Sequence, residues 1–138
     1  SANQPFVHVS ELRLLPGVTP EVHSVLAPET CALPAGTTIN LNFASEAVWM
    51  SLSEAITPNL AQRLARDGRA NYDSLDAVRQ ELEQLGLGPL PLTGFGVGSQ
   101  WFVLEAQIVA DGIPFVYSSL LQRRPDGVHV VARARGRW

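Results

Sequence analysis

No lysine occurs in the 138 residues, so all ten positive side chains are arginine. The single cysteine, Cys31, excludes an internal disulfide framework, and no Cys/His cluster has the spacing of a zinc module. Apolar runs fall far short of the roughly 18 to 20 residues that a membrane-spanning helix needs. Positive charge is also short: a formal net charge of -3 argues against a nucleic-acid binder driven by bulk electrostatics. Three histidines are present, His8, His23 and His129, but no Gly-x-Ser-x-Gly elbow accompanies them. They read as structural or solvated side chains, not as members of a triad. Cys31 lies in a proline-flanked loop without an adjacent cation and reads as an inert small hydrophobe.

What is present suffices for one compact domain or two small subdomains. The chain is 46% hydrophobic and 17% charged, a balance that buries a core. Charge is unevenly divided: residues 1–122 sum to -7 and residues 123–138 to +4. The chain opens Ser-Ala-Asn-Gln-Pro, without initiator methionine, signal peptide or anchor, and is expected to be a processed piece of a longer protein.

Along the chain, helix signals come first. Ser10 and Thr19 are suited to cap short helices, the second with Pro20 at its first position and Val18, Val22, Val25 and Leu26 on one face. Thr37–Asn42 reads as a short extended segment. Ser45 opens a run in which Val48, Trp49, Leu52, Ala55 and Ile56 form an apolar stripe. Thr57-Pro58 starts another helix, and Ser74 caps a third that Gly86 stops. After Gly94, Gly96 and Gly98 the period changes to two. Phe102, Leu104, Ala106 and Ile108 alternate with polar or smaller partners, and Asp111-Gly112 is a strong hairpin signal. Ile113–Leu121 returns, Pro125-Asp126-Gly127 turns again, and Val128, Val130 and Ala132 alternate on a third strand. The expected architecture is α+β, helices first and an antiparallel meander last.

Chemical motifs are weak. Gly94-Phe95-Gly96-Val97-Gly98 resembles half a dinucleotide fingerprint, but a helix precedes it and a strand follows, the reverse of what pyrophosphate binding needs. It reads instead as a flexible connector. Asp67, Asp73 and Asp76 surround one loop without the alternation of a calcium loop. Ile56–Ala61 and Pro16–Pro20 look like the turns of helix-hairpin-helix modules, which offer backbone amides to phosphate. The region around them is acidic and glycine-poor, so a DNA-binding module is the alternative reading only. The arginine-rich end, Arg133 to Trp138, fits a strand with solvated arginines, a partner contact, or a phosphate contact.

Particular residues resemble the K-type minor pseudopilins of the type II secretion system, the GspK family. Asn3-x-Pro5-Phe6-x-x-Val9-Ser10-Glu11-Leu12-Arg13-Leu14-Leu15-x-Gly17-Val18-Thr19-Pro20-Glu21 is similar to the segment leading out of that family's first helical subdomain. Leu33-Pro34 with Ile39-Asn40-Leu41-Asn42-x-Ala44-Ser45 resembles its Leu-Pro and Ile-Asn-Val-Asn-Thr-Ala block, with Phe43 where the family usually has threonine. Phe102-x-Leu104-x-Ala106, Ser119-Leu120-Leu121-x-Arg123 and Val130-x-x-Arg133 are similar to its closing sheet.

The resemblance implies residues 1–92 as the back of an inserted helical domain, with a second sterile-alpha-motif-like subdomain at about 39–88. It implies residues 93–138 as the antiparallel sheet of a pseudopilin core. The leader, the long membrane-and-core helix and the first helical subdomain would lie in an N-terminal part outside this chain. The implied function is that of a non-enzymatic scaffold at the periplasmic pseudopilus tip, initiating or capping it during protein export, with the full-length protein anchored in the bacterial inner membrane. Implied partners are the I-type and J-type minor pseudopilins, and further contacts are secreted substrate or the outer-membrane secretin. Some family members bind calcium, but no ligand run here carries that over, so no metal or cofactor is assigned. Trp101, Phe115, Tyr117, Arg133 and Arg135 are the candidate interface residues, because aromatic residues and arginine are enriched at interface centres. The competing reading of Phe115 and Tyr117 is ordinary core against the long helix that the resemblance implies.

Overall fold

A computed structural model describes residues 4–136. The chain divides into two units, Ser1–Gly98 and Ser99–Trp138.

Four short α-helices make up the first unit: α1 (Pro20–Leu26), α2 (Glu46–Met50), α3 (Pro58–Ala65) and α4 (Leu75–Gln84). Each starts where a hydroxyl side chain relieves the unpaired amides of a first turn. Thr19, Ser45, Thr57 and Ser74 accept from the backbone N–H three residues on, at 3.3, 3.3, 3.4 and 3.2 Å. At the other end of α4, Gly86 adopts φ 73° and lets Leu87 N–H reach the Leu82 carbonyl at 3.0 Å. That is a Schellman stop, and the positive φ is why glycine stands there.

The α2 helix ends at Met50, although the apolar stripe runs on to Ile56. Ser51 closes the helix locally, its hydroxyl donating to the Val48 carbonyl at 2.7 Å. The Ser53 hydroxyl then accepts from Ala55 N–H at 3.2 Å and shapes a turn. Ile56 is buried at 3% exposure all the same, whereas Ala55 is exposed, so beyond Met50 the stripe marked the burial of Ile56 but not a continuing helix. The extended segment is similarly shorter than expected. Only Ile39–Asn40 forms a strand, β1, and a 3-10 turn Leu41–Phe43 follows.

The glycine-rich stretch after α4 is not simply a flexible connector. Phe95–Gly96 forms β2, pairing in parallel with β1 through Ile39↔Phe95 and Asn40↔Gly96. A Cβ at Gly96 would sit 3.3 Å from Thr38 Oγ1, which explains the missing side chain at that close approach. This pairing places the contact boundary after Gly98, whereas the sequence boundary falls at 92/93.

The core gathers Leu41, Trp49, Leu64, Val78 and Leu82 around one centre, with Leu92 closing it. Trp49 and Tyr72 tilt against each other with ring centroids 6.0 Å apart. Tyr72 donates its hydroxyl hydrogen to the Leu64 carbonyl at 3.3 Å, and the Arg66 guanidinium lies 5.0 Å over its ring while bonding Glu81 at 2.6 Å. Burial, and then the Glu81 carboxylate, push the Tyr72 hydroxyl up to about 12, with Arg66 partly opposing.

A phenol held neutral in the fold, but free to ionise near 10 when unfolded, makes stability fall as pH rises from about 10 toward 12. The loss is on the order of 2 kcal/mol. Urea unfolding at pH 9 and 11.5 should show it, and Tyr72→Phe should lose that part of the pH dependence.

Before β1 the chain is poor in core. The 3-10 turn Val9–Leu14 starts at a reciprocal cap: His8 N–H donates to Glu11 Oε1 at 2.8 Å, and Ser10 N–H donates to His8 Nδ1 at 3.2 Å. Val22, Val25 and Leu26 of α1, expected as a packed face, are exposed. His23 is the buried residue of that helix instead, its Nε2 unpaired among the described residues.

The second unit is an antiparallel meander of β3 (Trp101–Ala110), β4 (Ile113–Arg124) and β5 (Gly127–Arg135) in that spatial order. Asp111 and Gly112 both take positive φ, 51° and 76°, the left-handed pair that matches strand twist in a two-residue hairpin. The fold is therefore α+β with a C-terminal three-stranded antiparallel sheet.

Candidate functional site

Strand alternation and register assign every sheet residue to a face, since partners directly opposite point the same way. One face carries Phe102, Leu104, Ala106, Ile108 and Ala110 of β3. Opposite them on β4 stand Leu121, Ser119, Tyr117, Phe115 and Ile113. On β5 the same face receives Arg135 opposite Tyr117, Arg133 opposite Ser119, Val130 opposite Leu121 and Val128 opposite Arg123. The reverse face carries Trp101, Val103, Glu105, Gln107 and Val109, with Leu120 and Ser118 buried at its centre. Ser118 Oγ donates to the Gly136 carbonyl at 2.6 Å, which satisfies its buried hydroxyl.

A register shift between Leu120 and Leu121 leaves Val131 as an extra residue in β5. Simple alternation would set Val128, Val130 and Ala132 on one face. The bulge instead turns Ala132 to the Trp101 side and brings Val128 and Val130 beside the two arginines.

This first face is apolar and open. Leu104 is 54% exposed, Ile113 57% and Val128 63%. Two arginines lie flat on it: Arg123 is 5.5 Å above the Phe102 ring and Arg135 is 5.4 Å above the Phe115 ring. Arg133 and Arg135 meet no carboxylate within ion-pair distance among the described residues. A surface of this kind suits an apolar partner element bordered by acidic groups.

Of the five candidate residues, Phe115, Tyr117, Arg133 and Arg135 share this face, with Tyr117 and Arg135 in direct register. Trp101 does not join them; it is half-buried on the reverse face. Arg123 and Phe102 also stand on this face, and counting outward from the Asp111-Gly112 turn sets them near each other. Arg137 and Trp138 lie outside the described residues. Asp76 pairs with Arg79 at 2.6 Å, and no group of three potential metal ligands occurs among the described residues. Cys31 is exposed at a small apolar pocket lined also by Phe6, Val9 and Leu12, and partial desolvation there pushes its thiol up.

Another polar group carries more hydrogen bonds than any of these. The Asn42 amide donates from Nδ2 to the carbonyls of Tyr72 and Val97, both at 3.0 Å, and its Oδ1 accepts from Tyr72 N–H at 2.7 Å. It ties together stretches 30 and 55 residues away, inside the Asn-x-Asn-x-Ala block on which the resemblance rests.

Residues 1–35 match a family model described as Type II secretion system (T2SS), protein K. Over 152 aligned residues the chain is 31% identical to the Type II secretion system protein K of Pectobacterium carotovorum subsp. carotovorum, covering 99% of this chain and 44% of that protein. It also superposes, with a TM-score of 0.71 and 24% identity, on a chain of the crystal structure of the GspK-GspI-GspJ complex from the enterotoxigenic Escherichia coli type 2 secretion system. That match covers 99% of this chain and 50% of the other, and at this identity it speaks for the fold. The chain thus spans about half the length of the relatives it matches. Similarity over 99% of the chain, the N-terminal family match and the shared α+β fold agree, and together they support a pseudopilin of the GspK type.

Proposed function

We propose that this chain is the C-terminal part of a minor pseudopilin that assembles at the tip of the type II secretion pseudopilus, where it initiates or caps the fibre. The observation that carries this is the 31% identity to a protein K over 99% of the chain. On this reading the protein is periplasmic, the full-length form is held in the inner membrane by its N-terminal part, and its role is scaffolding without a cofactor. Its partners are the I-type and J-type minor pseudopilins, by analogy with the GspK-GspI-GspJ assembly, with substrate or secretin as further contacts. The physical support is the open sheet face. A fibre subunit needs one surface complementary to its neighbours, and stacked arginines among exposed apolar residues supply the chemistry of interface centres.

The test mixes the chain with a soluble I–J heterodimer and follows the mass of the eluting species by light scattering. A one-to-one-to-one complex is expected. The double variant Arg133→Glu with Arg135→Glu should weaken it at least about tenfold, near 1.4 kcal/mol. Trp101→Ala, on the reverse face, should leave it within about twofold. The opposite pattern would move the interface to the Trp101 side. If neither the chain nor the full periplasmic protein binds the heterodimer, the tip-subunit reading fails.

A further inference from the structure

Backbone hydrogen bonds give β3 a paired side and an outer side. Arg123 N–H donates to the Gln100 carbonyl at 2.7 Å, and antiparallel alternation carries that pattern along the strand. Even-numbered residues of β3 therefore turn their N–H and C=O groups to β4. Trp101, Val103, Glu105, Gln107 and Val109 turn theirs outward. Among the described residues β4 is the one strand beside β3, so β3 is an edge of the sheet.

The two edges of this sheet differ. β5 carries devices that keep an edge from pairing: the bulge at Val131 and the charged side chains of Arg133 and Arg135. β3 has neither. Its register with β4 is unbroken, it contains no proline, glycine or positive charge, and Glu105 is its single acid. Val103, Leu104, Ile108 and Val109 are 47%, 54%, 51% and 66% exposed, so both faces of the strand are apolar and open as well. A long, flat, apolar edge of this kind is a template for another strand.

The sequence of β3 selects that strand. A second copy of β3, antiparallel across a two-fold axis normal to the sheet, must set odd residues opposite odd ones, because the outward groups are the ones that exchange. An axis at Glu105 would put two like charges directly opposite, which destabilises a sheet. An axis at Ala106 sets Glu105 opposite Gln107 of the second copy instead. It also sets Val103 opposite Val109, Leu104 opposite Ile108 and Phe102 opposite Ala110, apolar against apolar throughout. Larger shifts leave strand ends unpaired.

We propose that β3 pairs with β3 of a second copy, antiparallel and centred on Ala106, and joins the two meanders into one six-stranded sheet. The contact is isologous, so it closes at two copies and does not propagate. The Phe102 faces of both copies lie on the same side of the joined sheet and stay open. The pairing is thus independent of whether that face receives the I- and J-type proteins.

Sedimentation of the full chain tests it. The mass should rise from one copy at about 1 µM to two at about 100 µM, as suits a contact at the small end of specific interfaces. Gln107→Glu puts two like-charged pairs across the junction and should weaken the dimer about fivefold. Gln107→Lys puts two opposite-charged pairs there and should strengthen it about as much. Gln107→Pro removes only an outward N–H, as Pro114 does opposite Val109, and should abolish the dimer. The two charge variants keep the test decisive if the proline variant does not fold. Register is read by cross-linking in a Cys31→Ser background. Ala106→Cys should link to itself on mild oxidation, because the paired Cα atoms stand about 4.5 Å apart. Leu104→Cys, opposite Ile108, should not. A chain that stays monomeric at about 100 µM, or a dimer indifferent to the charge at position 107, overturns the pairing. Self-linking at Leu104→Cys in place of Ala106→Cys overturns the register.

Discussion

Asn42→Ala is expected to destabilise the helical unit by about 3 kcal/mol in urea unfolding, more than the loss of any other polar side chain in the chain. The side chain is half-buried and makes three hydrogen bonds, all to backbone. Truncation leaves the carbonyls of Tyr72 and Val97 and the Tyr72 N–H without their partner, and each unmet buried group costs about 1 kcal/mol or more. Asn42→Asp separates this account from simple loss of volume. The aspartate keeps an acceptor for Tyr72 N–H but sets a carboxylate oxygen against two carbonyls. At pH 7 it should be worse than alanine. At acid pH, where the carboxyl can donate one hydrogen, part of the difference from the unmodified chain should return. An Asp variant as stable as the alanine one at both pH values would mean that Nδ2 does not make these bonds.

How far the sequence spoke for the structure depends on the range of each interaction. Thr19, Ser45, Thr57 and Ser74 were legible as helix caps because a cap and the amide it serves are three residues apart. Asp111-Gly112 was legible as a hairpin for the same reason, and alternation from Phe102 to Ile108 placed those residues on one face. Asn42 could not be read this way. Its partners are 30 and 55 positions distant, and only the family block marked it as unusual. The bulge at Val131 was marked only faintly: Val131 is apolar where alternation calls for a polar residue, and that alone does not say that an extra residue sends Ala132 to the other face.

The candidate interface residues do not all share one face. Composition pointed to the aromatic residues and arginines of the sheet, but which of them share a face is decided by register, and Trp101 falls away from the other four. Helix α1 shows the reverse error. Its apolar stripe is real, but Val22, Val25 and Leu26 meet no core among the described residues, and the polar His23 is buried instead. Periodicity identifies an amphipathic face without saying what lies against it.

Trp49→Ala should cost about 4 kcal/mol, because the indole is wholly buried and α2, only five residues long, has no other side chain fully in the core. A helix of that length is marginal alone and depends on tertiary packing, so losing the indole should also release α2 locally. Hydrogen exchange at the Trp49 and Met50 amides would then approach unprotected rates before global unfolding. Trp49→Phe should behave quite differently. The indole Nε1–H is buried with no acceptor among the described residues, a debt of roughly 1 to 3 kcal/mol that the ring's packing already offsets. Phenylalanine forfeits some of that packing but also removes the stranded donor, and its ring can still lean on Tyr72 across the 6.0 Å contact. The two effects oppose, and the net cost should be about 1 kcal/mol or less. A Trp49→Phe cost close to that of Trp49→Ala would show that the indole N–H is bonded after all, to a group that closes over it in solution.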